Sequence, residues 1–314
     1  MRIAITGASG FVGSHLAKAL LARSHEIVAI SRGIRSPEVE LSSPKLSWYE
    51  TDLTDSEQLA RGLQGCDAVA HCAGINRETG QQTYRRVHIR GTQVVADAAR
   101  SAGVPKVVML SFLRARPNCG SAYHESKWAA EEILRRSGLD YTILKAGMIY
   151  GLGDHMLDHL TKSLNTLPLF ATVGFHERPI RPLAVRDVVG LLCAALLDHK
   201  MPRATVAVTG PEELRLSEAA RRVARVFGRR VYIFPAPVWF HRAFAHVLEW
   251  TMKVPLVAVA QVRILAEGVV EPEPPFPAPP SELAPHLNFT DEQIRQGLPH
   301  RLKFGFADLR CCAS

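Results

Sequence analysis

Two clusters of residues have types and spacing that could do chemistry. The first is Tyr123-His124-Glu125-Ser126-Lys127. A tyrosine and a lysine four positions apart share one face of a helix, with their side-chain ends close together. The ammonium is expected to lower the pKa of the phenol, so that Tyr123 can exchange a proton with a substrate oxygen near neutral pH. The second cluster is Thr6-Gly7-Ala8-Ser9-Gly10-Phe11-Val12-Gly13, which follows one apolar run and opens a helical one. At such a junction Gly7 permits a tight turn, Gly10 lets the backbone approach a pyrophosphate, and Gly13 lets helix and strand pack closely. The helix start then offers unpaired amides and a positive dipole end to phosphates. The pattern predicts a dinucleotide held at Gly7, Ser9, Gly10, Phe11, Val12 and Gly13.

The residues after the second strand bear on which dinucleotide. The run Ser31-Arg32-Gly33-Ile34-Arg35 has no acid to bond a ribose 2′-hydroxyl, whereas Arg32 can face a 2′-phosphate with its planar fork. Ser31 or Arg35 can add a further bond. NADP(H) is therefore the expected cofactor, with NAD(H) as the alternative. Asp52-Leu53 is placed for the adenine edge, and Cys72-Ala73-Gly74 for the nicotinamide end, where small residues allow close approach. Met148 completes the expected set, and Lys127 would also bond the nicotinamide ribose. His71 and His88 read as packed structural residues. No His/Cys spacing suggests a metal.

These residues must be positioned by strands and helices that alternate through the first two-thirds of the chain. Apolar runs read as strands at Arg2–Thr6, Glu26–Ser31, Ala68–Cys72, Val107–Ser111, Tyr141–Leu144 and Thr205–Thr209. Helical periodicity fills Val12–Arg23, Tyr84–Ala102, Ala122–Arg136 and Val185–Leu197. The fold class is α/β, a doubly wound parallel sheet with a smaller, discontinuous C-terminal cap. Residues 1–148 plus about 181–210 form the dinucleotide domain and about 149–180 plus 211–270 the substrate cap. In the cap, Asp154, His155, Met156 and His159 are expected to face substrate. Ser217 is a plausible helix N-cap. The aromatic stretch with Trp239, Phe240, Phe244 and Trp250 is expected to be core or a lid. Residues 271–314 form a Pro-rich strap, a short helix opening at Thr290 with Gln293 in a capping box, and a tail.

The 314 residues carry a net charge of +8, but their cations fall in short pairs without a basic stripe, and no nucleic-acid role is expected. The six cysteines fit a reducing compartment. No apolar run reaches the roughly 20 residues of a membrane span, and the N-terminal run reads as a strand instead of a signal peptide. A cytoplasmic protein with a small-molecule substrate is expected, its homo-oligomeric state left open.

Together, Thr6 to Gly13, Asp52-Leu53, His71 to Gly74 and Tyr123 to Lys127 resemble the short-chain dehydrogenase/reductase superfamily, whose domain is a Rossmann fold. Lys145-Ala146-Gly147-Met148-Ile149-Tyr150-Gly151 is similar to the RPGxxYG segment of its extended and atypical members. That branch includes NAD-dependent epimerase/dehydratase-like proteins and a nucleotide-binding accessory subunit of respiratory complex I. The resemblance implies Tyr123 as general acid/base, Lys127 as its tuner, and a hydroxyl steadying the substrate oxygen, for which Ser111 is the candidate. Extended members carry that hydroxyl two positions later, where this chain has Leu113. They also carry an Asn where this chain has His88, and a Pro where it has Ala146. The expected function is an NADP(H)-dependent oxidoreductase moving hydride to or from a carbonyl or alcohol. A non-catalytic NAD(P)H-binding sensor or assembly subunit is the alternative. A sugar-nucleotide epimerase or dehydratase is a further one, which an acid near Ser111 would favour, and the sequence shows none there.

Overall fold

Ile3, Ala4 and Ile5 are wholly buried, as a strand covered on both faces requires. They belong to β1 (Arg2–Thr6), followed by α1 (Phe11–Ala22), β2 (Glu26–Ser31), β3 (Leu46–Glu50), α2 (Ser56–Leu63) and β4 (Ala68–His71). A π-helical turn at Arg85–Arg90 runs into α3 (Gly91–Ser101), then come β5 (Lys106–Phe112), α4 (Ala122–Arg135) and β6 (Asp140–Ala146). Next are β7 (Ile149–Tyr150), α5 (His155–Thr166), β8 (Leu169–Val173), β9 (Pro179–Ile180), β10 (Leu183–Ala184), α6 (Val185–Leu197) and β11 (Ala204–Val208). The chain continues through β12 (Leu214–Arg215), α7 (Leu216–Val226), β13 (Tyr232–Ala236), α8 (Val238–Thr251), α9 (Val259–Glu267) and α10 (Asp291–Gln296). This computed structural model describes residues 1–33, 41–167, 169–252, 259–300 and 303–304. Arg35 and the Cys311-Cys312 pair lie outside the described residues.

The chain divides into two compact units. The first holds residues 1–147, 185–208 and 272–285. Its seven-stranded sheet runs β11-β6-β5-β4-β1-β2-β3, every pair parallel. Strand order reverses between β1 and β4, and such a switch point is where open α/β sheets bind ligands, beyond the carboxyl ends of the strands. The pairing Thr6↔His71 brings Gly7 and the Cys72–Gly74 turn together there. One core under this sheet gathers Val28, Leu59, Val69, Val95, Val107, Leu134 and Ile143.

The second unit holds residues 148–184, 209–271 and 286–314. It contains three two-stranded pairings: β7 with β10, β9 with β12, and β8 with β13. Tyr150, Leu157, Leu164, Val223, Phe289 and Ile294 form its core. Thr290 caps α10 by accepting the Gln293 amide at 3.3 Å. Ser217 does not cap α7. Arg215 holds that position, and the Ser217 hydroxyl lies one residue inside, donating to Glu177 Oε2 at 2.7 Å. The Pro-rich run belongs to the first unit: residues 272–285 lie there, where the Ala207 amide donates to the Pro277 carbonyl at 2.8 Å, while residues 286–314 belong to the second.

Candidate functional site

The glycine turn meets the demands of a dinucleotide. Gly7 has φ +73°, and a Cβ there would stand 2.7 Å from Ala73 Cα, so only glycine lets the two turns approach. A Cβ at Gly13 would stand 2.2 Å from the Gly7 carbonyl oxygen, which explains the tight seating of α1. Gly10 takes the N-cap position of α1 with no side chain to bond the free amides, and the first turn carries no acid. An anion can therefore meet those amides without displacing a resident cap. Ala8 and Val12 are buried beneath the turn, while Ser9 and Phe11 are half-buried.

At the end of β2, Ser31 is buried and Arg32 exposed. Glu50, paired in register with Ser31, brings its carboxylate against Gly33, where a Cβ would stand 2.5 Å from Oε1. The sequence places no acid directly after β2, but the fold brings one alongside from β3. Asp52 Oδ1 accepts from the Thr54 amide at 2.9 Å and its hydroxyl at 2.7 Å, with Arg86 at 3.4 Å. Burial works against that carboxylate, yet these partners outweigh it and hold it below its ordinary range. Leu53 packs against Gly91 at the start of α3. Met148 opens the second unit, where its side chain packs against the Tyr150 cluster.

Beyond β4, a Cβ at Gly74 would stand 2.9 Å from Lys127 Nζ and 3.6 Å from His88 Nε2. Gly74 is thus the space that admits the lysine to the nicotinamide-side turn. Burial lowers Lys127 to about 8, against the pull of Glu131. Tyr123 is buried among the rings of Tyr84, His88, Phe112 and His124, with centroids 5.4 to 5.8 Å away. Burial, with Tyr84 adding to it, pushes the phenol upward. The expected depression of Tyr123 by Lys127 is corrected: desolvation dominates, and the phenol holds its proton at neutral pH. Cys72 is likewise pushed up, to about 12, by burial.

Two histidines prove to be structural struts. His71 bonds Thr6 Oγ1 at 2.7 Å through Nδ1 and Thr92 Oγ1 at 3.0 Å through Nε2. His88 Nε2 accepts the Ile75 amide at 3.1 Å, while its Nδ1 meets Ser126 Oγ at 2.8 Å. The Ser126 hydroxyl donates onward to the Tyr123 carbonyl at 2.9 Å, which assigns the His88 proton to Nδ1. His88 therefore ties the Gly74–Ile75 turn to the helix carrying Tyr123 and Lys127. Burial, reinforced by Lys127, lowers His71 to about 3 and His88 to about 2, so both rings are neutral.

A family model described as NAD(P)H-binding matches residues 7–157. Residues 7–157 thus form an NAD(P)H-binding domain. An uncharacterised protein of Mycobacterium bovis is 29% identical over 84% of this chain, which spans only 27% of that protein's length. The mitochondrial 40 kDa subunit of NADH-ubiquinone oxidoreductase from Neurospora crassa is 23% identical over 86% of this chain and 72% of its own. In fold, the chain is similar to the UDP-glucuronic acid 4-epimerase of Bacillus cereus, solved with UDP-glucuronic acid and NAD. The TM-score is 0.69 at 20% identity, over 95% of this chain and 98% of that one.

Within this NAD(P)H-binding domain, Ser111 occupies a place its sequence context did not reveal. Its hydroxyl donates to Glu131 Oε1 at 2.5 Å, and Glu131 pairs with Lys145 Nζ at 2.8 Å, both charged residues being fully buried. Lys145 also donates to the Ala115 carbonyl at 2.9 Å and lies 4.8 Å from the Phe276 ring centre. The hydroxyl expected to steady a substrate oxygen is thus committed to a buried ion pair. An acid does stand beside Ser111, contrary to the sequence reading. It is sealed from solvent and neutralised by Lys145, which withholds it from lyase chemistry. Leu113 is completely buried. The sequence marked His88 as structural but not its partner Ser126, 38 residues away, and the pair Glu131–Lys145, 14 residues apart, escaped it.

Proposed function

We propose that the protein is an NADP(H)-dependent reductase of carbonyl compounds, with Tyr123 as proton donor. The observation that carries this reading is the buried Tyr123–Lys127 helix face whose ammonium reaches the Gly74 turn beyond β4. Bound NADPH supplies a hydride to the carbonyl carbon. Tyr123, holding its proton at neutral pH, gives it to the carbonyl oxygen, and water later restores it. Lys127 donates to the nicotinamide ribose while charged. Arg32 faces the 2′-phosphate, with Ser31 beside it. The amides at Gly10 to Val12 take the pyrophosphate. The test is NADPH consumption over a panel of aldehydes and ketones, for which the reading expects turnover with at least one.

A second reading is an NAD(P)H-binding sensor or assembly subunit. It is favoured by the Ser111–Glu131 bond and buried Leu113, which leave no hydroxyl from β5 or its end for a substrate oxygen. No turnover on the panel, together with partner binding that changes with cofactor occupancy, would establish it over the first.

A further inference from the structure

In α8 large apolar side chains stand on the outer face as well as the inner one. At 100° per residue, His241, Ala245 and Leu248 face inward and are buried. Trp239, Phe240, Phe244, Val247 and Trp250 face outward, Trp239 70% and Trp250 79% exposed. The inner face is pinned, since His241 Nε2 bonds the Ala171 carbonyl of β8 at 3.3 Å. The two tryptophans stand 11 residues apart, roughly 16 Å along the helix. Exposed Arg242 and His246 line one edge of the apolar face. On β13, which leads directly into α8, Tyr232 and Phe234 are also exposed, behind exposed Arg229 and Arg230. Between Glu218 and Glu249 the sequence has six arginines and no acid. Arg222 pairs with Glu212 and Glu218, and Arg225 with Asp291. Arg221, Arg229, Arg230 and Arg242 are exposed and form no ion pair among the described residues.

We propose that this face of the second unit docks on an anionic lipid surface, α8 lying in the headgroup plane. Tryptophans at both ends of one short helix suit the membrane–water interface, where an apolar ring body meets a polar tip. Val247 and the two phenylalanines enter the acyl boundary between them. Exposed Arg229, Arg230 and Arg242 beside this face supply attraction to anionic headgroups. The same charge argues against a second copy of this chain, because facing copies would oppose like charges. Among the described residues no helix is long and apolar enough to cross a membrane, so α8 lies on the surface and does not span it.

The experiment is co-sedimentation of the full chain with vesicles of phosphatidylglycerol and phosphatidylcholine, beside vesicles of phosphatidylcholine alone. The expected result is binding to the anionic vesicles, at least about tenfold weaker to the neutral ones, and weakened by salt. Brominated lipid should quench tryptophan emission in the wild type. A Trp239→Ser, Trp250→Ser double variant should bind about tenfold less while keeping its NADPH affinity, which shows that it is folded. Absent binding to anionic vesicles, or binding that the double variant retains, overturns the proposal. So does a dimer that the same substitutions dissolve, or capture of single-stranded RNA in preference to the vesicles.

Discussion

Arg32 is the exposed cation at the end of β2, and a charge-assisted bond to a phosphate is worth about 1.5–3 kcal/mol. Arg32→Ala should therefore weaken NADPH by about 10- to 100-fold and NADH little, as read by titration calorimetry. Glu50 beside Gly33 is the counter-argument in the structure, since an acid there favours a 2′-hydroxyl. Equal wild-type affinities for the two cofactors would show that Glu50 prevails. Lys127 offers a second test. Its pKa, lowered to about 8, means that the ammonium is charged at pH 6 and mostly neutral by pH 9. NADPH affinity should fall across that interval, and Lys127→Met should flatten the profile. An unchanged slope in the variant would remove Lys127 from the cofactor site.

At the scale of elements, the pair Glu131–Lys145 joins α4 to β6, and Lys145 also holds Ala115 beyond β5. Lys145→Met removes the fully buried partner of Glu131, leaving Arg135 and Ser111 to bond its carboxylate, and should cost about 1.5–3 kcal/mol in urea unfolding. A loss well under 1 kcal/mol would mean that the carboxylate finds water or a proton instead. Asp154, expected to face substrate, is instead buried at the N-cap of α5, accepting the Gly151 and Leu157 amides. Burial raises it from the ordinary 3.8 to about 7, against those bonds. A carboxyl raised in the folded state contributes stability that is full below its ordinary pKa and lost as pH rises through the folded one. Between pH 4 and 7 the wild-type Tm should accordingly decline relative to Asp154→Asn. A constant difference would show that Asp154 ionises normally.

Six strands of the sheet were legible because buried parallel strands read as unbroken apolar runs, and Gly7, Gly10 and Gly13 stand where one such run turns into a helix; β3, whose residues are only half-buried or exposed, was not. The two-residue strands β7, β9, β10 and β12 were not, being too short for any period. Residue type and local spacing put Tyr123 and Lys127 together on one helix, where the structure has them buried. They failed for Ser111, whose direction depends on how β5, β6 and α4 pack. For α8 the periodicity revealed an apolar face but not what would cover it, and expected core aromatics prove exposed.

For the molecule as a whole, the strap is a tie within the first unit. Glu273 meets Arg114 at 2.5 Å, Phe276 lies against Lys145 and Arg135, and Lys200 meets Glu282 at 3.4 Å. Phe276→Ala should lower stability by about 1–2 kcal/mol through lost cation–π contact. An unaltered unfolding midpoint would make the strap a passive covering. The cofactor turn, the Tyr123–Lys127 face and the His88 strut all lie in this same unit, so the chemistry proposed for the protein can be tested at one atom. That measurement compares NADPH-dependent carbonyl reduction by the wild type and Tyr123→Phe, with NADPH affinity measured on both. The account predicts that the phenylalanine variant loses at least about a hundredfold in turnover while binding NADPH equally well, because the lost proton acts in the transition state. Wild-type activity that Tyr123→Phe leaves intact would contradict it.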